Sequence, residues 1–108
     1  MADLTRKEEQ ILLAVHALKD SASLMPVRDW IHEYTGTDYA AGTVYAPLNR
    51  LYLRGYLVSS MERDPAGGKA VRYYRVSRRG YEALAELDRQ RSAMWAGFVN
   101  PVARETED

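Results

Sequence analysis

Apolar residues recur with helical spacing in three stretches of the first half of the chain, which predicts three helices. The first helix follows Thr5, whose spacing to Glu8 is that of a capping box, and runs to about Lys19. The second lies between Pro26, which suits a first helical position, and Gly36, which suits a carboxyl cap. The segment between these two helices is a short polar connector.

The third helix begins at residues 40–41, carries an apolar face, and ends at Gly55. Residues 56–63 and 70–76 are rich in β-branched and aromatic side chains, which favours two strands. The segment between them, residues 64–69, contains proline and two glycines and predicts a turn. The pattern therefore indicates a β-hairpin with a glycine-rich tip.

A last helix follows Ser77, which can cap it, and is expected to continue until Asn100 and Pro101 stop it. One broad side of this helix is apolar and consists of Tyr81, Leu84, Leu87, Met94, Trp95 and Phe98. At 1.5 Å per residue the helix is longer than one small domain needs, so its apolar side requires another surface. This length predicts a dimerisation helix.

The order of three helices, two strands and a helix is that of a winged helix-turn-helix with an added helix. The predicted fold class is α+β and mainly helical, with a two-stranded wing and a C-terminal dimerisation helix. We expect a DNA-binding domain over residues 1–80, the dimerisation helix over residues 81–99 and a flexible tail over residues 100–108. In such a fold the third helix enters the major groove and the wing reaches neighbouring phosphates.

Composition narrows the functional class. The chain has no cysteine and two histidines, and its carboxylates are not clustered, so neither a metal site nor a nucleophile with its base can be assembled. We therefore expect no enzyme activity, no cofactor and no metal.

No apolar stretch approaches the roughly 20 residues that span a bilayer, and the acidic amino terminus does not suit a secretory signal. The expected location is cytoplasmic, without membrane contact.

The formal net charge is zero, but the charges are segregated along the chain. Residues 41–80 carry eight Lys or Arg against two acids, whereas acids outnumber bases in residues 1–40 and again in residues 81–108. Clustered bases are typical of nucleic-acid binding. Charge alone leaves open the alternative of a solvated basic surface that binds nothing.

On a helical wheel the third helix turns Val44, Leu48 and Leu51 toward the core. The opposite side, with Arg54 toward one flank, supplies candidate groove contacts, and the wing adds two further bases. The predicted DNA-binding residues are Thr43, Tyr45, Ala46, Asn49, Arg50, Arg54, Lys69 and Arg72.

Several of these residues have two interpretations. Tyr45 can bond a phosphate or pack with its hydroxyl at the rim, and Asn49 can pair with adenine or be plain polar surface.

Alternation along the second strand places one of Tyr73 and Tyr74 in the core and does not say which.

Three motifs in this order resemble the PadR-type transcriptional regulators. They are GTVYAPLNRL at residues 42–51, GYLV at 55–58 and RYYRVSRRG at 72–80, and the resemblance extends over nearly the whole chain, residues 4–98. It implies a dimeric, sequence-specific DNA-binding regulator, usually a repressor, that binds a pseudo-palindromic operator and dimerises through its fourth helix. A winged-helix module that binds another protein and no longer binds DNA is the alternative.

The chain departs from many relatives in two places. Proline directly follows the helix 3 tyrosine in many of them, whereas here Ala46 intervenes and Pro47 comes one residue later. A proline inside a helix tends to kink it, which leaves the groove-facing set of side chains open. The second helix also lacks the Gly-Tyr pair with which it often begins in relatives.

The predicted dimer interface consists of Leu84, Leu87, Arg91, Met94, Trp95 and Phe98. Three of these residues, Met94, Trp95 and Phe98, have two interpretations. They pack only against the second chain, or they also line a pocket for a planar aromatic effector, as in some relatives.

Overall fold

The computed structural model describes residues 3–63 and 66–103. Its elements are α1 (Arg6–Leu18), α2 (Leu24–Thr35), α3 (Ala41–Leu53), β1 (Leu57–Arg63), β2 (Ala70–Val76) and α4 (Arg78–Trp95), with a 3₁₀ turn at Lys19–Ser21. The predicted α+β, mainly helical winged helix-turn-helix with an added C-terminal helix is confirmed. No helix in the described part of the chain is long and apolar enough to cross a membrane.

The start of α1 is fixed by the predicted capping box. Thr5 Oγ1 accepts the Glu8 backbone N–H at 3.1 Å, and Glu8 Oε1 accepts the Thr5 backbone N–H at 2.9 Å. The end of α1 differs from the prediction by one residue. Lys19 lies beyond the helix with φ 52° and ψ −117°, a backbone conformation that favours glycine.

The second helix begins two residues earlier than predicted. Leu24 is its first residue, and Pro26 stands third in the first turn, where its missing N–H is not needed by the helix. Its end is as predicted, because Gly36 adopts φ 74° and donates its N–H to the His32 carbonyl at 2.8 Å.

The third helix continues through Pro47, which is buried. The proline removes one hydrogen bond from the helix, and that loss does not end α3. The chain reverses after Arg54 through Gly55, whose φ is 83°, and the Tyr56 N–H bonds the Leu51 carbonyl at 2.9 Å. The third helix therefore leads directly into the wing.

The wing is an antiparallel pair in which Leu57 faces Val76 and Arg63 faces Ala70. Its first strand begins at Leu57, one residue later than predicted. Tyr74 is the core residue of the tyrosine pair, and its N–H also bonds the Ala22 carbonyl at 2.8 Å. The hairpin is thus joined to the chain between α1 and α2. Residues 64 and 65 of the predicted turn lie outside the described residues.

One hydrophobic core joins the first three helices, the hairpin and the start of α4. Its largest fully buried side chains are Ile11, Leu12, Val15, Val27, Ile31, Val44, Leu48, Leu51 and Leu57. This core fixes the orientation of α3 relative to the wing, and it therefore positions the candidate site.

The last helix is capped by Ser77, whose hydroxyl accepts the Gly80 N–H at 3.1 Å. It ends at Trp95, so Phe98, predicted as part of the helix, lies beyond it. A further helical turn covers residues 101–103, and the rest of the predicted tail, residues 104–108, lies outside the described residues. The predicted domain boundary at residue 80 falls inside the first turn of α4.

Candidate nucleic-acid interface

The outward side of α3 carries exposed side chains at the positions that the helical wheel predicted. Thr43, Ala46 and Arg50 are exposed, and Asn49 is half-buried. Leu53, which is also exposed, completes this side near the end of the helix. The core side of α3 packs against the other helices, so this outward side is the one that remains for a partner.

Tyr45 and Tyr52 lie on one flank of α3, next to the wing. About half of Tyr45 is exposed, so its ring is not a core residue. The Arg72 guanidinium of β2 lies 5.8 Å from the centre of the Tyr52 ring and donates to Ser59 Oγ at 2.8 Å. The Arg72 side chain therefore extends from the wing toward α3, in a position to contact a ligand that touches both elements.

Arg50, at the edge of the outward side, and Arg54, the residue that follows α3, approach one buried acid. Glu8 Oε2 lies 4.0 Å from Arg50 Nε and 3.6 Å from Arg54 Nη1, and the Glu8 side chain is 4% exposed. The Arg50 side chain is 58% exposed. The two guanidiniums thus compensate a buried carboxylate while the larger part of Arg50 remains in solvent.

Arg54 has further contacts within the chain. Its guanidinium donates to the Asp3 carbonyl at 3.4 Å and lies 5.2 Å from the centre of the Tyr56 ring. The Arg79 guanidinium lies 4.7 Å from the same ring. Arg54 is therefore held more firmly by the protein than Arg50, and Arg50 is the better placed of the two for an external ligand.

The remaining bases of the middle segment are distributed over several surfaces. Lys69 is exposed beside the tip of the wing. Arg75 lies on the other face of the hairpin and pairs with Asp20, and Arg78 pairs with Glu82 at 3.2 Å along α4. The basic segment thus supplies Arg50, Arg54, Lys69 and Arg72 to the surface formed by α3 and the wing, whereas Arg75 and Arg78 pair with acids of the same chain.

Among the described residues, Tyr74 and Arg91 have shifted pKa values. Burial raises the pKa of the Tyr74 hydroxyl, and the nearby Arg72 charge opposes that shift in part. Hydrogen bonding and charge from Glu9 raise the pKa of Arg91. Arg91 was predicted at the dimer interface, and it makes a bidentate ion pair with Glu9 of α1 in its own chain, with Nε donating to Oε2 at 2.7 Å.

The other predicted interface residues divide into two groups. Leu84 packs against the core of its own chain, and Leu87 is half-buried. Met94, Trp95 and Phe98 are 71%, 61% and 56% exposed, and the Trp95 and Phe98 rings meet edge to face with their centres 5.1 Å apart. Within the described residues, the end of α4 and the segment that follows it therefore present apolar side chains to solvent.

Several side-chain interactions, in the site and outside it, were not predicted from the sequence. They are the pairs of Glu8 with α3, the Glu9–Arg91 pair, the contact of Tyr52 with Arg72, and the hydrogen bond of 2.9 Å between His16 Nδ1 and the Tyr81 hydroxyl. The adjacent acids Glu8 and Glu9 were a visible signal, because two neighbouring carboxylates on the core side of a helix require cations. Within residues 3–63 and 66–103 no acid or histidine cluster suits a metal ion.

Several solved structures have the same fold as this chain. A PadR family regulator from hypervirulent Clostridium difficile superposes with a TM-score of 0.69 at 19% identity, over 83% of this chain and 90% of that one. RosR of H. salinarum superposes with a TM-score of 0.68 at 20% identity, over 97% of this chain and 89% of that one. BpsR of Bordetella bronchiseptica superposes with a TM-score of 0.59 at 23% identity, over 100% of this chain and 84% of that one. The DNA binding of BpsR is regulated by 6-hydroxynicotinic acid.

No curated protein sequence matches the chain significantly. The sequence profile of the transcriptional regulator PadR-like family matches residues 25–86, which extend from α2 through the wing into α4 and make up more than half of the chain. The matched segment contains every residue of the outward side of α3 and of the wing described above. The chain therefore belongs to the PadR-like family of DNA-binding transcriptional regulators.

Proposed function

We propose that this regulator works in the cytoplasm as a homodimer that represses transcription by binding a pseudo-palindromic operator. The observation that carries the proposal is the exposed side of α3, which presents Arg50 beside Thr43, Ala46 and Asn49 and is flanked by the wing. An α-helix with such a side fits the major groove of B-form DNA. In a winged helix-turn-helix the neighbouring wing then contacts the phosphate backbone.

The proposed contacts have different tasks. Arg50 and Asn49 are suited to base edges, because a guanidinium can pair with guanine and a carboxamide with adenine. Thr43 and Tyr45 offer hydroxyls to phosphates near the start of α3, and Ala46 allows close approach. Lys69 and Arg72 supply charge from the wing, and Arg54 adds charge from its place beside Glu8. Repression follows when a bound dimer excludes the transcription machinery from its site.

The homodimer is supported by the exposed apolar end of α4. Met94, Trp95, Phe98 and Val99 are each more than half exposed, and large apolar groups grouped in this way usually mark an interface. Two copies joined through their α4 helices would hold two copies of α3 at a fixed separation. Half-sites about one helical turn apart are the DNA arrangement that such a dimer recognises.

A planar aromatic effector is the second part of the proposal. Trp95 and Phe98 form an edge-to-face pair, and Met94 adds a polarisable thioether, so a second copy of this group would complete an aromatic pocket at the interface. BpsR, a protein with the same fold, has its DNA binding regulated by 6-hydroxynicotinic acid, which is a planar aromatic compound. An effector releases DNA only if it binds the DNA-incompetent arrangement of the dimer more tightly than the competent one.

Selection from a pool of random duplexes by the purified chain tests the operator proposal. We expect enrichment of an inverted repeat whose half-sites are about one helical turn apart. Enrichment of a single half-site would contradict the dimeric arrangement, and absence of any enrichment would contradict sequence-specific binding.

A further inference from the structure

Glu8 is placed unusually for an acid, because its carboxylate is buried and its two oxygens serve different elements. Oε1 accepts the Thr5 N–H and caps α1, while Oε2 faces Arg50 at 4.0 Å and Arg54 at 3.6 Å. A buried carboxylate is costly unless cations compensate it. The two arginines that flank the outward side of α3 therefore carry a second task within the protein.

We propose that Glu8 is a positioning residue for DNA recognition that raises discrimination between sequences at the expense of affinity. It holds the Arg50 and Arg54 guanidiniums against α1 and penalises their movement to phosphates. The inference rests on the proposed function in one respect, namely that the outward side of α3 faces DNA.

The distances from Glu8 to the two arginines determine which guanidinium N–H groups remain available for DNA. At 3.6 and 4.0 Å the pairs are held by charge and not by short hydrogen bonds, so the guanidinium N–H groups are not consumed by the carboxylate. The Arg50 side chain is 58% exposed and can donate outward from the position in which Glu8 holds it. A base edge within reach of that position can be bonded without separating the pair.

Binding of a phosphate, unlike binding of a base edge, separates an arginine from Glu8. An arginine that leaves Glu8 for a phosphate withdraws compensation from a buried charge, and this cost is the same for every DNA sequence. A duplex that presents guanine to Arg50 in its held position avoids the cost, whereas other duplexes do not. Discrimination is a difference between two affinities, and Glu8 enlarges it by weakening the non-specific one.

The chain offers a matched control in the next residue. Glu9 is also buried and carries the same charge, but it pairs with Arg91 of α4 and not with α3. Glu9→Gln changes the net charge as Glu8→Gln does and leaves Arg50 and Arg54 in place. A difference between these two variants therefore reports the contact with α3 and not the charge of the whole protein.

The experiment measures affinity for two duplexes, one enriched by the wild-type chain and one of random sequence, across a range of salt concentrations. Glutamine serves in a capping box, so Glu8→Gln retains the start of α1. We expect Glu8→Gln to bind the random duplex more tightly, with a salt slope steeper by about one unit because one further phosphate is neutralised. Its preference for the enriched duplex should fall about tenfold, the order of one base contact.

Glu8→Asp separates position from charge. It retains the negative charge and withdraws the carboxylate by one methylene, so the arginines lose their partner while the net charge is unchanged. We expect the same loss of preference as in Glu8→Gln. A wild-type preference in Glu8→Asp would overturn the positioning role, as would identical behaviour of Glu8→Gln and Glu9→Gln.

A third outcome also counts against the inference. If Glu8→Gln weakened both duplexes equally and its melting temperature fell, Glu8 would only support the fold. If the wild-type chain enriched no sequence, the operator proposal would fail, and the affinity and salt slope measured with the random duplex would still show whether Glu8 restrains the two arginines. The two proposals can therefore fail separately.

Discussion

Gly80 of α4 packs against the backbone carbonyl of Tyr56, with no room for a β carbon between them. A β carbon at position 80 would also lie 2.6 Å from Cγ1 of Val76. The same Tyr56 carbonyl accepts the Ser77 N–H at 3.1 Å. This close approach sets the angle at which α4 leaves the wing, and hence the direction in which its apolar end points.

Gly80→Ala is expected to destabilise the chain by about 2 kcal/mol, since overpacking forces the backbone of α4 away from Tyr56 and Val76. Urea denaturation measures the change. Gly42→Ala is the matched control, because a β carbon there meets nothing within 4 Å and α3 gains up to about 1 kcal/mol from alanine. Equal stability of Gly80→Ala and the wild type would show that α4 can shift freely on the wing.

Lys19→Gly is expected to stabilise the chain by about 1 kcal/mol, because Lys19 has a positive φ that glycine adopts without strain. Lys19→Ala removes the same charge and keeps the strain, so it should show no gain in the same denaturation experiment. A gain shared by both variants would attribute the effect to charge and not to the backbone.

Tyr74→Phe should change how stability depends on alkaline pH. Burial raises the pKa of Tyr74 above that of the unfolded chain, so the unfolded state loses its proton first. The stabilisation of the folded state by the protonated Tyr74 hydroxyl is therefore complete below about pH 10, the pKa in the unfolded chain. It declines as the pH rises above that value. Relative to wild type, Tyr74→Phe should lose less stability between pH 9 and pH 11 (approximate limits of the titration).

Urea denaturation of both proteins across this pH range measures the difference in stability. A decline of the same size in Tyr74→Phe and in the wild type would assign the alkaline loss to other groups.

Truncation after Ser92 tests the α4 interface. It removes Met94, Trp95 and Phe98 and retains Arg91, whose loss would leave the buried Glu9 without its partner. We expect a monomer in sedimentation with the secondary structure of residues 1–92 intact. Binding to a full operator should weaken strongly, because the second half-site is no longer engaged at high effective concentration. An unchanged dimer would place the interface elsewhere.

Local signals predicted most of the fold. The capping box of Thr5 and Glu8 and the positive φ of Gly36 are encoded within a few residues, and both appear as expected. The start of α2 was wrong by two residues because Ser23 makes no side-chain cap and Pro26 is tolerated within a first turn. The choice between Tyr73 and Tyr74 required the tertiary contact that strand alternation alone does not supply.

The site was predictable in outline only. Helical spacing placed Arg50 on the outward side of α3, which the structure confirms. It could not show that Glu8 lies beside Arg50, or that Glu9 binds Arg91, since those partners are 42 and 82 residues apart in the sequence. Packing of the helices brings such distant charges together, and no local pattern encodes it.

The affinity of Arg50→Ala for an enriched operator and for a random duplex tests the central claim most directly. We expect weaker binding to the operator and a preference reduced by about tenfold or more, because Arg50 contacts base edges. Lys69→Ala should weaken both duplexes alike and reduce the salt slope by about one unit. Arg89→Ala, an exposed charge on α4, should change neither. If Arg50→Ala and the double variant Arg50→Ala/Lys69→Ala bound both duplexes as the wild type does at every salt concentration, α3 and the wing would not be the DNA-binding surface.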